Sequence, residues 1–138
     1  MKDCLFCQII QGEIPAQVVR EDNKTLAILD VNPSAPGHTM IIPKEHYRDF
    51  MDLPMGEAAD LFGSVQKTVE MLKLALGSEH FTIGVNSGKI LGRHVDHLHV
   101  HVIPRFPGDG GDYIQGVVNN PPKEESEEIK NKIIRTNG

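Results

Sequence analysis

No apolar run in this 138-residue sequence approaches the roughly 20 residues that a helix needs to span a bilayer. That argues against a helical membrane protein. The first residues, Met1-Lys2-Asp3-Cys4, lack the basic start and apolar stretch of a signal peptide, so a soluble cytoplasmic protein is expected. Excess positive charge is also missing. Fourteen Lys and Arg against 19 Asp and Glu leave a formal charge of −5, which argues against a broad polyanion-binding surface and against nucleic acid as a partner. A small phosphate site needs only a few local donors and stays open. There is no internal repeat, no long linker and no carboxylate cluster suited to magnesium. Cysteine is scarce: Cys4 and Cys7 are the only two. A pair so close seldom makes a structural disulfide. In a cytoplasmic chain the spacing suggests a metal site or a redox pair, or two thiols without a role. The redox reading expects a thioredoxin-like βαβ context, and none is evident.

The length fits one domain, and the 39% apolar content is enough for one modest core. Residues 4–11 read as a short helix closed by Gly12. Val18-Val19 and residues 25–31 read as strands around a hairpin turn at residues 21–24. Residues 38–42 form a further strand ended by Pro43, and residues 44–50 a short helix. The clearest helix covers residues 57–76, where Ala58, Leu61, Phe62, Val65, Val69, Leu72 and Leu76 recur at helical spacing, with Gly77 as its C-terminal cap. Strands follow over residues 81–86 and 97–103, the second closed by Pro104. Residues 123–134 read as a charged surface helix. This order predicts an α+β fold, a mainly antiparallel sheet with a long helix on one face.

Seven histidines are the unusual feature, and four of them lie between His94 and His101. In His97-Leu98-His99-Val100-His101-Val102-Ile103 the alternation is that of a strand, which puts His97, His99 and His101 on one face and Leu98, Val100 and Val102 on the other. Histidine neighbours on that face stand about 6.5–7 Å apart. Three imidazoles on a half-buried strand need hydrogen-bond partners. They fit three satisfied structural histidines, a three-histidine metal centre, or a nucleophilic histidine tuned by its neighbours, because neutral imidazole is abundant near neutral pH.

The segment resembles the His-x-His-x-His-x-x signature of the histidine triad superfamily. Pro36-Gly37-His38-Thr39-Met40-Ile41-Ile42-Pro43-Lys44-Glu45-His46 resembles that superfamily's second signature. Leu29-Asp30-Val31-Asn32-Pro33 and Val85-Asn86-Ser87-Gly88 are further matching pieces, and the likeness extends from about Cys4 to Arg105. It is closest to the bacterial nucleoside phosphoramidase and nucleotide hydrolase branch that starts with Cys-x-x-Cys. The resemblance implies a single histidine triad domain over residues 1–138, with residues 106–138 as a variable tail, and pairing into a homodimer. It implies cleavage at the α-phosphorus of a purine nucleoside monophosphate derivative, such as a phosphoramidate, through a nucleotidyl-histidine intermediate. His99 would attack, with His101 and His38 as catalytic partners at the phosphate oxygens. Asp30 would hold the ribose hydroxyls, and Asn86 the phosphate or ribose region. Cys4, Cys7, His46 and His97 would bind one structural zinc per chain, and no organic cofactor is implied. Phe6, Ile9, Ile10 and Leu29 serve either as a base pocket or as plain core.

Two positions depart from the pattern Gly-Gln-x-Val-x-His. Arg93 replaces the glutamine and is still suited to bind phosphate. His94 stands where a small hydroxyl or acidic residue is usual, and there it either donates a proton or faces solvent. Competing readings are a dinucleoside polyphosphate hydrolase or phosphorylase, which changes only the acceptor, a non-catalytic nucleotide-binding module, and a three-histidine zinc hydrolase.

Overall fold

The computed structural model describes residues 3–89 and 95–136. Five strands form one sheet: β1 (Val18–Glu21), β2 (Thr25–Leu29), β3 (Thr39–Pro43), β4 (His80–Gly84) and β5 (Val100–Arg105). Their spatial order is β1-β2-β3-β5-β4, and every neighbouring pair is antiparallel. Three helices accompany them: α1 (Leu5–Ile10), α2 (Met55–Leu76) and α3 (Ser126–Thr136). The α+β architecture expected from the sequence is the one observed. No helix among the described residues is long and apolar enough to cross a membrane.

Strand alternation divides the core in two. Ala27, Ile41, Leu98, Val100 and Val102 point to one face, where they pack with Leu61, Val65 and Leu72 of α2. Leu26, Ile28, Met40 and Ile42 point to the other, where they pack with Cys4, Phe6 and Cys7. Successive residues of each strand thus serve opposite layers. Helix α1 lies opposite α2, so helices cover both faces of the sheet.

The β1–β2 turn is built on Asp22, whose Oδ1 accepts the backbone N–H groups of Lys24 (2.9 Å) and Thr25 (2.8 Å). The turn sets the register that pairs Glu21 with Leu26. Helix α2 ends at Gly77, which adopts φ 71° and donates its N–H to the Lys73 carbonyl, the left-handed close that glycine permits. The buried stripe of α2 is Leu61, Ser64, Val65, Thr68 and Leu72. Phe62 and Leu76, expected on that stripe, are each about two-fifths exposed. Polar Ser64 and Thr68 take the inner positions because each is satisfied there. Ser64 Oγ accepts from Arg20 and Thr25 at 2.7 Å each, and Thr68 Oγ1 donates to the Ser64 carbonyl.

Three other expectations differ from the structure. Residues 44–50 do not form a helix; a single 3-10 turn follows at Phe50–Asp52. External bonds hold this stretch as an irregular, bent loop, with the Lys44 N–H on the Lys24 carbonyl and the Tyr47 carbonyl accepting from Leu98. The ladder of β5 begins at Val100 rather than His97, so His97 and His99 precede it. Finally, β5 continues through Pro104 to Arg105. Its pairing with β3 ends at Val102, so Pro104 lies beyond the doubly flanked part of the strand, where a proline is tolerated.

Candidate active site and metal centre

The site lies on the α1 face, where the odd-numbered residues of β5 emerge. His101 pairs with Met40 of β3 on one side and with Gly84 of β4 on the other. His38 enters from the turn before β3. That turn depends on Gly37, whose φ is 83° and whose missing side chain leaves room for Leu76 and Pro104.

Hydrogen bonds assign the tautomers. The Ser34 backbone N–H donates to His38 Nδ1 at 3.0 Å. Nδ1 is therefore an acceptor, and the proton of a neutral His38 sits on Nε2. His38 Nε2 lies 2.9 Å from His101 Nδ1, so it donates, and His101 in turn carries its proton on Nε2. Asp30 Oδ2 stands beside the pair, 3.5 Å from His38 Nε2 and 3.8 Å from His101 Nδ1. His99 Nδ1 lies 2.8 Å from the His97 carbonyl. A carbonyl only accepts, so Nδ1 carries the proton and Nε2 the in-plane lone pair.

Burial keeps the His38 and His101 rings neutral. It pushes His101 down to about 4, helped by the neighbouring His99 and His38 and opposed by Asp30. Burial also lowers His38, again against Asp30.

Around these groups lie two cavities. One, of about 510 Å³, is bounded by His38, His101, Asn86 and Thr82, with Ile103, Ile114 and Val117 as apolar wall. The other, of about 480 Å³, is bounded by Asp30, Leu29, Pro33 and Gly37. Ser34 and His38 line both and form the partition between them. A larger depression of about 620 Å³ runs along β4 beside Phe81, Arg105 and Tyr113. The guanidinium there is already engaged by Asp109, Thr82 and the Asp112 carbonyl.

A second cluster stands next to the first. Cys4 caps the N-terminus of α1, and Cys7 lies in its first turn. His46 comes from the bent loop after β3. Their ligating atoms and that of His97 lie within 4.8 Å of one another. Cys4 Sγ is 3.3 Å from His97 Nδ1, Cys7 Sγ is 3.3 Å from His46 Nδ1, and the two Nδ1 atoms are 3.2 Å apart. His97 is fully buried, and its Nε2 donates to the Pro43 carbonyl at 2.8 Å. That bond turns the Nδ1 lone pair toward the thiols. Burial and the adjacent Cys4 push the Cys7 thiol up, a cost that a shared cation removes by ionising the thiols. A tetrahedron with zinc–nitrogen and zinc–sulfur bonds has edges of roughly 3.3–3.8 Å, and the observed separations match. The residues present fit a four-coordinate zinc with no open position.

The four sequence-predicted ligands thus converge, as do Asp30, His38 and His101, with Asn86 on the shared cavity. Arg93 and His94 lie outside the described residues. Phe6 is 4% exposed and packs edge-on against the rings of His97 and His99. Three partners had no signal in the sequence, namely the Ser34 N–H and the Pro43 and His97 carbonyls. All three are backbone groups, and no choice of residue type advertises them.

The geometry agrees with comparisons to known proteins. The HIT domain family model matches residues 11–108. An uncharacterised HIT-like protein of Methanocaldococcus jannaschii is 47% identical over 122 residues, 88% of this chain and 94% of its own length. An adenosine 5'-monophosphoramidase of Schizosaccharomyces pombe is 37% identical over 102 residues, covering 74% of each chain. The crystal structure of a zinc-bound histidine triad family protein from Mycobacterium smegmatis superposes with a TM-score of 0.75 at 34% identity, over 92% of this chain and 89% of that one. With the triad, its His38 partner and the cysteine–histidine cluster all in place, the chain belongs to the histidine triad (HIT) family.

Proposed function

We propose that this protein is a nucleotide hydrolase of the phosphoramidase kind, cleaving at the α-phosphorus of purine nucleoside monophosphate derivatives. One observation carries the reading. The 2.8 Å bond from His99 Nδ1 to the His97 carbonyl keeps the lone pair on Nε2, the state a nitrogen nucleophile requires.

In the first step His99 Nε2 forms a bond to phosphorus as the phosphorus–nitrogen bond of the substrate breaks. The departing amine takes up a proton from solvent, and His101 Nε2–H donates a hydrogen bond to a non-bridging oxygen. In the second step water attacks phosphorus and gives up a proton to solvent, the bond to His99 breaks, and the nucleoside monophosphate leaves with His99 neutral again. Splitting one hard displacement into two is the gain of covalent catalysis. Donors aimed at the phosphoryl oxygens supply the electrostatic part. His38 holds His101 in the donating tautomer. Asp30 accepts from the ribose hydroxyls, and Asn86 and Arg93 serve the phosphate region. Zinc bound by Cys4, Cys7, His46 and His97 supplies structural cross-linking. The phosphoramidase relative supports the reaction class, and the zinc-bound neighbour supports the metal.

The protein acts as a homodimer in this proposal. The outer edge of β4 is paired to no other described strand, and such an edge invites a partner.

Rapid quench with adenosine 5'-phosphoramidate followed by intact-mass measurement tests the mechanism. Wild type gains one AMP transiently, and His99→Ala and His99→Gly gain none. Release of AMP without an adduct, sensitive to chelators, would transfer the chemistry to a metal-activated water.

A further inference from the structure

The proton on His38 Nε2 has two acceptors near it. His101 Nδ1 lies 2.9 Å away, and Asp30 Oδ2 lies 3.5 Å away. The proton has no second place on the ring, because the Ser34 N–H already occupies Nδ1 at 3.0 Å. The same carboxylate oxygen stands 3.8 Å from His101 Nδ1, so it forms a triangle with the two imidazole nitrogens. Asp30 is tied into this place twice. Its backbone N–H donates to the His38 carbonyl at 2.9 Å, and its Oδ1 accepts the Asn32 N–H at 2.9 Å. The carboxylate is 14% exposed, so water has little access to it.

Two arrangements of protons fit this triangle. In the first, His38 donates to His101 Nδ1, and His101 carries its proton on Nε2, where it meets a phosphoryl oxygen. The 2.9 Å between the nitrogens is a bond of this kind. In the second, His38 Nε2–H and His101 Nδ1–H both donate to the carboxylate. His101 Nε2 then holds a lone pair, which repels a phosphoryl oxygen. The second arrangement draws strength from charge, since hydrogen bonds to a carboxylate exceed those between neutral groups. Another donor on Oδ2 removes that advantage. A vicinal diol is such a donor, with two O–H groups. The cavity beside Asp30 meets the cavity beside His101 at Ser34 and His38, so a nucleoside in the first and its phosphate in the second straddle the triangle.

We propose that Asp30 is a positioning residue for His101 as well as a ribose contact: left without a diol it draws the His38 and His101 N–H groups to itself, and a ribose that occupies it returns His101 to the tautomer that donates to phosphate. This rests on the reading of Asp30 as the ribose-binding residue of a nucleotide hydrolase. Ribose, remote from the phosphorus, then contributes to the rate of reaction and not to affinity alone. The ligand acts by shifting a population between two states, through its differential contact with one of them.

The experiment uses zinc-loaded, ¹⁵N-histidine protein, wild type and Asp30→Asn, with AMP and 2',3'-dideoxy-AMP as probes at concentrations that calorimetry shows to be saturating. The imidazole nitrogen resonances of His38 and His101 are read first. In wild type, AMP is expected to move His101 from an average of two tautomers to the Nε2–H form, and dideoxy-AMP to leave the average as it is. Asp30→Asn, which keeps the shape and removes the charge, is expected to show the Nε2–H form without any ligand. The rate of adduct formation at saturation is read second. In wild type the dideoxy counterpart of adenosine 5'-phosphoramidate is expected to react about tenfold more slowly, the scale of one hydrogen bond exchanged. In Asp30→Asn the two substrates are expected to react at one rate.

A carboxylate that merely binds ribose would give dideoxy compounds a weaker affinity, an unchanged saturated rate and the same His101 resonances as AMP; that outcome overturns the proposal. Identical ligand-free resonances in wild type and Asp30→Asn overturn it as well. If Asp30→Asn unfolds, the comparison of the two nucleotides on wild type decides without it. If wild type forms no adduct, the nucleophile reading fails on its own, and the resonances with AMP and dideoxy-AMP decide. If AMP does not bind, the nucleotide reading fails and takes the ribose half with it. The ligand-free resonances of the two proteins then decide whether the carboxylate governs the histidine pair.

Discussion

At the scale of single residues, the site is a chain of tautomers that starts at a backbone N–H. Ser34 fixes His38, and His38 fixes His101. Replacing His38 by Ala frees the His101 ring to flip, and adduct formation is expected to slow about 100-fold with little change in zinc content, as rapid quench and metal analysis will read. The same burial that keeps His101 neutral makes it a liability in acid. Its folded value of about 4 lies below the usual 6.5, so the unfolded chain binds the proton more readily. The stability involved is present above about pH 6.5 and is lost as pH falls toward 4. Denaturant unfolding of wild type and His101→Gln at pH 7 and pH 5 is expected to show wild type losing about 2 kcal/mol more between the two. Equal losses would mean that His101 is not held neutral by burial. At this scale the sequence was most informative about side chains with chemistry. Cys4, Cys7, His38, His46, His97, His99 and His101 were all legible by spacing and motif. The tautomers were not, because the partners that assign them are main-chain atoms delivered by the fold.

At the scale of elements, turns and the metal cluster do the holding. Asp22 closes the β1–β2 hairpin through two backbone N–H groups and the Arg20 guanidinium. Although burial acts against it, these donors hold its carboxyl down at about 2. A depressed acid supports the fold above its ordinary value of 3.8 and ceases to do so as pH falls through 2. Asp22→Ala is expected to cost about 1–2 kcal/mol in urea unfolding at pH 7, and the gap from wild type should close below pH 3. Helix α1 depends on the cluster at its start. Chelation of zinc, or Cys7→Ser, is expected to lower the melting temperature by on the order of 10 °C, read by calorimetry with and without chelator. Strands were easy to read because β2 and β3 are runs of apolar and β-branched residues. Residues 44–50 were misjudged as helix because their conformation is imposed by Lys24 and Leu98, distant partners that a local pattern does not reveal. In α2 the apolar pattern placed Phe62 and Leu76 inward, but buried hydrogen bonds of Ser64 and Thr68 rotate the stripe away from them.

At the scale of the whole molecule, the exposed edge of β4 and the apolar surface around Ile83, Tyr113 and Val117 call for a partner. Sedimentation is expected to give twice the 15.3 kDa chain mass, and Ile83→Lys is expected to give the single chain. A monomeric wild type would overturn the homodimer. The division of the sheet into two layers also bears on how such a protein changes over time. From Leu98 to Val102 each alternate residue belongs either to the packing under α2 or to the side that carries the histidines. One inserted or deleted residue there would exchange the two roles at a stroke, sending imidazoles into the core and valines into the site. Length is therefore frozen along that stretch, while the cavity walls contributed by residues 113–118 come from outside it. New substrate preferences can be drafted on the rim, one wall residue at a time, under a reaction centre that admits no edits in spacing.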